Sequence, residues 1–495
     1  MTTFVTTAFG KLEGRVVDGV RTFLGVPFAK APVGELRFRD PQLIGAWEHT
    51  LPALGYAKDP MQNNLVLGPE FFSEDCLYLN IWAPETAGTD TPVMVWIPGG
   101  AFAVGGAGAV KPEGPSTYDC HAIAKETGNI VVSASYRLNV FGFLNLSGFS
   151  DRFEDNLGMK DIVMALRWVR ETIGAFGGDA GNVTVFGESA GGEAISALML
   201  IDEALPLFRK AIIQSNCYGS FYTPQEEREI CEKYLEFAGL DTENAAGLLD
   251  LPYETLLEAN KKLDAFVAVN FFGRCSFCPV VDGVYLKDFP TLAEYGGLGK
   301  PVLLGSNKSE GNFQVISGWS DAETLTPRLL RRLTPDARGK LLANYPSLPS
   351  LPAFGELLTD VMYTFPKIRH AERLAAGGNA VYVYRFDYYT PVLEKLGLFA
   401  CHVSEMLPLF EVKTDPFRQF YLGSEEEVHE IGTRMRAYWG NFARCGDPNG
   451  EGLAAWTPYT QDTRDTLVIN KADKLVSDAE AEIRRRFEGL DRVLI

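Results

Sequence analysis

Six short apolar runs punctuate the chain: Val93–Ile97, Ile130–Ala134, Val183–Phe186, Ala211–Ile213, Pro301–Leu304 and Val381–Tyr384. They are rich in β-branched residues, and most run into Gly or Ser. Near-continuous apolar strands of this kind suit a sheet covered on both faces. Helical patterns lie between them. Residues 161–173 read as one amphipathic helix. A second helix begins at Thr223-Pro224-Gln225-Glu226, where Thr caps, Pro opens the first turn and Glu stands at the third position. Thr334-Pro335 starts a third in the same way. Strands alternating with helices predict an α/β fold built on a doubly wound, mostly parallel sheet. The stretches 223–265 and 320–375 look mainly helical and are long for simple crossovers. They are expected to be insertions forming a cap on a single domain spanning 1–495.

The composition changes this picture little. With 495 residues, 46% of them hydrophobic, the chain can bury a large core. A formal net charge of -18 repels nucleic acid and anionic membrane faces, so neither is an expected partner. No apolar run approaches the roughly 20 residues of a membrane helix. The start, MTTFVTTAFGKLEG, lacks the basic and apolar regions of a secretory signal. The eight cysteines are therefore expected as reduced thiols in a cytoplasmic protein. Cys275-Ser-Phe-Cys278 is a lone C-x-x-C with no second pair at zinc spacing, so no metal or cofactor is expected. Oligomeric state is not legible.

The chemistry enters at Gly187-Glu-Ser189-Ala-Gly191. It follows the Val183–Phe186 run and precedes the helix-prone Glu193–Leu200. G-x-S-x-G alone is a pattern that chance supplies. Between a strand and a helix it reads as a nucleophile elbow, whose glycines relieve crowding in a sharp turn. Upstream, the strand ending at Ile97 gives way to Pro98-Gly-Gly100-Ala101-Phe102. Attack on an ester carbonyl develops an oxyanion that needs pre-positioned N–H donors. The candidates are the backbone N–H groups of Gly100, Ala101 and Ala190.

A base should follow the nucleophile in the chain. Of the five histidines, His370, His402 and His429 do so. His370 and His429 sit in helical patterns and read as solvated helix-face residues. His402 lies in an irregular stretch beyond the last apolar run, where a mobile base belongs. An acid should fall between Ser189 and His402, just past a strand's carboxyl end. Glu310 satisfies this, although spacing alone leaves other carboxylates open.

Together these residues resemble the type-B carboxylesterase family of α/β-hydrolases, which includes para-nitrobenzyl esterases and cholinesterases. The resemblance also rests on Phe23–Ala29, Ser73-Glu-Asp-Cys76-Leu-Tyr-Leu-Asn80, Asn307-Lys-Ser-Glu310-Gly311, His402-Val-Ser-Glu405 and Gly446-Asp-Pro-Asn449. It implies an α/β-hydrolase fold, a Ser189–Glu310–His402 triad and the three oxyanion donors. It also implies hydrolysis of small-molecule esters through an acyl-enzyme, with water as second substrate. Some positions depart from the family. Pro98 replaces a His or aromatic residue. Cys76 is the first cysteine, so the usual upstream disulfide cannot form. No Trp lies between Leu51 and Asp75, which argues against choline esters. Gly273 and Cys275 stand where cholinesterases carry bulky aromatics. With Phe102 and Phe277 they are expected to shape an acyl pocket that admits groups larger than acetyl. Two rival readings share the sequence: a catalytically silent binding scaffold, and a hydrolase of amides, carbamates or lactones.

Overall fold

A computed structural model of the chain describes residues 1–63, 67–108, 116–271, 274–412 and 417–488, apart from the side chain of Arg332. Among these, one 13-stranded sheet organises the fold. Its strands are β1 (Thr2–Thr6), β2 (Lys11–Val17), β3 (Val20–Pro27), β4 (Tyr78–Pro84), β5 (Thr91–Ile97), β6 (Ile130–Ala134), β7 (Gly178–Glu188), β8 (Lys210–Gln214), β9 (Val302–Asn307), β10 (Val381–Phe386), β11 (Asp465–Ile469) and β12 (Lys474–Ser477). The spatial order is β1-β2-β3-β4-β6-β5-β7-β8-β9-β10-β11-β12, with the short strand Thr50–Pro52 beside β2. The stretch from β6 through β5 to β11 is parallel throughout. Antiparallel strands close both ends.

The continuous apolar runs follow from burial on both faces. Alternate residues of each parallel strand feed two separate cores. Val93, Val95, Val183, Val185, Ala211, Ile213, Val302 and Leu304 face one, together with helix α1 (Leu157–Thr172) and helix α2 (Ala190–Leu198). Met94, Trp96, Phe186, Ile212 and Leu303 face the other, with the long helix Glu425–Cys445. The alternation is hidden in the sequence because both sets are apolar.

The capping residues behave as their chemistry dictates. Helix α3 (Pro224–Phe237) opens with a full capping box between Thr223 and Glu226. Thr334 caps the helix Pro335–Asn344. The two helical stretches differ in where they bury. Helix α3 and helix α4 (Tyr253–Asn270) add Ile230, Leu235, Leu256 and Leu263 to the first core. Residues 322–365 instead form a cluster of their own around Leu329, Leu341, Phe354 and Leu357, closed by Phe487. No described helix is long and apolar enough to cross a membrane.

Candidate active site

Ser189 stands between β7 and α2, at φ 56° and ψ -126°. A non-glycine residue there carries roughly 1–3 kcal/mol of strain, which the surrounding structure must hold. Two backbone bonds do so: Ser189 N–H donates to Gln214 O at 2.9 Å, and Glu193 N–H donates to Ser189 O at 2.9 Å. The glycines of the motif are there for close approach. A Cβ on Gly191 would lie 2.0 Å from Ile97 O, and one on Gly187 would lie 2.7 Å from Gly191 C. Gly99, on the neighbouring turn, abuts Ser189: its Cβ would sit 3.2 Å from Ser189 Cβ.

The turn after β5 is equally tight. Gly100 has φ 121°, and a Cβ there would lie 2.0 Å from Val104 O. Ala101 and Phe102 follow, both at φ 55°. Side chains from elsewhere fix this turn. Tyr136 Oη donates to Pro98 O at 2.6 Å. Gln62 clamps Gly105 with two bonds, 2.7 and 2.9 Å. Ala190 is the first residue of α2, where an N–H has no intrahelical acceptor. The N–H groups of Gly100 and Ala101 likewise have no hydrogen-bond partner among the described residues.

His402 and Glu310 reach this point from two other strand ends. Glu310 follows β9 and is wholly buried; His402 lies beyond β10, 8% exposed. His402 Nε2 is 2.9 Å from Ser189 Oγ, and its Nδ1 is 2.7 Å from Glu310 Oε2. The other Glu310 oxygen accepts from Asn307 N–H at 2.6 Å. Of the sequence-derived residues, Ser189, Glu310 and His402 thus form one hydrogen-bonded chain.

Two further carboxyls surround the imidazole, and sequence reasoning did not single them out. Glu188 Oε1 lies 3.3 Å from His402 Nε2. Glu405 is buried and accepts from Ser215 Oγ at 2.8 Å and Asn307 Nδ2 at 2.5 Å. The only available signal was position: one follows Gly187 in the elbow, the other closes the His402-Val-Ser-Glu405 run. Burial pushes Glu188 well above the usual carboxyl range, and it lifts Glu405 to about 7. Burial by itself would lower His402. The carboxyls of Glu188, Glu310 and Glu405 outweigh it and raise the imidazole to about 9. Rings of Tyr363 and Phe313 flank it, with centroids 5.2 and 6.5 Å away.

Several expectations need correction. His370 is not solvated. It is fully buried, 3.0 Å from Tyr218 Oη through Nδ1, and burial lowers it to about 3. His429 is exposed, as a helix-face residue should be. Phe102 does not line an accessible pocket: it is wholly buried against Phe143, with ring centroids 4.4 Å apart. Phe277 is 1% exposed and packs on Tyr234, so it too supports the site from behind. Large rings on these short segments gain most by burial in the first core. Cys275 is half-buried, with its Sγ 3.4 Å from Ser220 Oγ. Gly273 lies outside the described residues. No cluster of metal-ligating side chains occurs among the described residues.

A mostly parallel sheet with a serine on the sharp turn into a following helix, a histidine and an acid arriving from later strands, defines the α/β-hydrolase fold. The chain belongs to the carboxylesterase family, whose model matches residues 1–487, and it is a carboxylic ester hydrolase. Among curated relatives, it is 35% identical over 494 residues to the para-nitrobenzyl esterase of Bacillus subtilis (strain 168), covering 98% of both chains. It is 33% identical to liver carboxylesterase 1 of Oryctolagus cuniculus, covering 92% of this chain and 87% of that one. Solved structures agree. A PNB esterase superposes with a TM-score of 0.86 at 34% identity, over 98% of this chain and 100% of that one. Carboxylesterase EST55 of Geobacillus stearothermophilus gives 0.85 at 36% identity, over 98% and 99%.

Proposed function

We propose that Ser189, His402 and Glu310 are the nucleophile, base and orienting acid of this esterase, and that it works through an acyl-enzyme. The observation that carries the reading is the continuous chain of 2.9 and 2.7 Å from Ser189 Oγ through His402 to Glu310. His402 Nε2 takes the Ser189 proton as Oγ attacks the ester carbonyl. The N–H groups of Gly100, Ala101 and Ala190 receive the oxyanion. The imidazolium then protonates the leaving alcohol and, after it departs, imidazole draws a proton from water to release the acid. Glu310 holds the Nδ1–H tautomer throughout.

The finer assignments follow from the same residues. The small, half-buried Cys275 supports an acyl side that admits groups beyond acetyl. The separate cluster of residues 322–365 supports its role as a cap, since Tyr363 from its last turn reaches His402. All eight cysteines are free thiols, which supports a reducing, cytoplasmic setting. A series of p-nitrophenyl esters from acetate to decanoate tests the reading, with Ser189→Ala as control. We expect activity beyond acetate and a loss of at least about 10⁴-fold in the variant. Equal rates in the two proteins would overturn it.

A further inference from the structure

Glu193 is a buried acid that the proposed mechanism does not use. It lies four residues after Ser189 on α2, on the same face, and helical Cβ atoms tilt toward the N-terminus. Its Cβ therefore leans toward the turn at Ser189. It is 1% exposed, and its Oε2 has no hydrogen-bond partner among the described residues. The Ser220 hydroxyl and the Cys217 N–H lie against the carboxyl. The half-buried Cys275 is the titratable group that acts on it most strongly. The other titratable groups facing it are Cys217, Cys278, Tyr136, Tyr218 and Glu188. None of these can supply a positive charge. Burial without a cation pushes Glu193 well above the usual carboxyl range, which favours its protonated form.

A protonated carboxyl whose second oxygen is unpartnered can donate one further hydrogen bond from it. Such a group is costly unless a ligand completes it. We propose that Glu193 is a specificity-determining residue on the acyl side of the site, where it donates a hydrogen bond to an oxo, ether or hydroxy oxygen of the substrate's acyl chain. The chain approaches it along Cys275, the half-buried side chain beside it. This rests on Ser189 being the acylated residue.

The test compares p-nitrophenyl valerate with p-nitrophenyl levulinate, which have equal chain length and differ by one ketone oxygen. Rates are normalised to hydroxide hydrolysis of each ester. Wild type should favour levulinate in kcat/KM by about 3- to 10-fold, the usual size of one hydrogen bond. Glu193→Gln should keep the preference, because its amide also donates. Glu193→Leu should remove or invert it, with a fluorophosphonate titration confirming that each variant presents a reactive serine. Equal normalised rates in wild type overturn the inference alone, whether or not the variants fold. A preference that survives Glu193→Leu overturns it as well. A wild type inert on both esters sinks the reading of Ser189 and takes this inference with it.

Discussion

The turn that carries Ser189 and the segment around Cys275, proposed as the acyl side, are held by different means. At the turn, backbone crowds backbone. Gly99, Gly100, Gly187 and Gly191 stand where a single added carbon would strike a main-chain atom or the nucleophile itself. On the acyl side, side chains do the holding. Tyr222 Oη donates to Cys275 O at 2.6 Å, Ser276 Oγ donates to Asp264 at 2.5 Å, and Phe277 sits behind on Tyr234. Backbone crowding leaves almost no substitutions open. A scaffold of side chains can be re-dressed one residue at a time. The difference teaches where chemistry is fixed and where substrate choice can drift.

Disrupting the chemistry should cost far more than altering the acyl side. The largest expected effect is at the acid. In Glu310→Gln the amide oxygen would face Asn307 N–H, so the NH₂ would face His402 Nδ1. That selects the wrong imidazole tautomer, with a proton already on Nε2. We expect kcat to fall by about 10⁴-fold with the fold intact, as steady-state kinetics and a thermal melt would show. Next comes Gly100→Ala. Its Cβ cannot sit 2.0 Å from Val104 O, so the turn must shift and carry a donor with it. A loss of about 10²- to 10³-fold in kcat is expected. A loss under threefold would mean that the turn is softer than its crowding implies.

Smaller effects belong to the imidazole that joins the two regions. Its raised pKa means that the neutral, base form appears only at higher pH. Activity should therefore fall about tenfold per unit as pH drops below that value. The limb should lie above the ordinary histidine value of roughly 6.5, shifted toward about 9. A kcat/KM profile with its limb below 6 would show that the neighbouring carboxyls exert no pull. The smallest effect, a few-fold change in preference at Glu193, is the one confined to the acyl side.

The same contrast decides what could be read from the chain. The six apolar runs all lie in strands of the parallel portion, because burial on both faces leaves an unbroken apolar signature. The antiparallel strands β1 to β4 left a weaker one, since β1 and β2 expose alternate residues. The elbow was legible because crowding demands glycine by name. Glu310 and His402 were placed by chain order and by likeness to a family, and geometry then joined them. Glu188, Glu405 and Glu193 were not distinguishable among 64 acidic residues. What sets them apart is burial, which depends on strands hundreds of residues away. His370 failed for that reason too: its helix turns it inward, between Tyr218 and Tyr295.

The span of the hydrogen-bonded chain has a consequence in time. Ser189 and His402 are 213 positions apart, and Glu310 and His402 are 92 apart. β7, β9 and β10 must all be in register before the three side chains can meet. During synthesis the nucleophile leaves the ribosome more than two hundred residues ahead of its base. A chain stopped short of residue 402 has an elbow but not the imidazole that completes the hydrogen-bonded chain. Refolding should therefore restore secondary structure first and ester cleavage last, so that turnover reports the completion of the sheet.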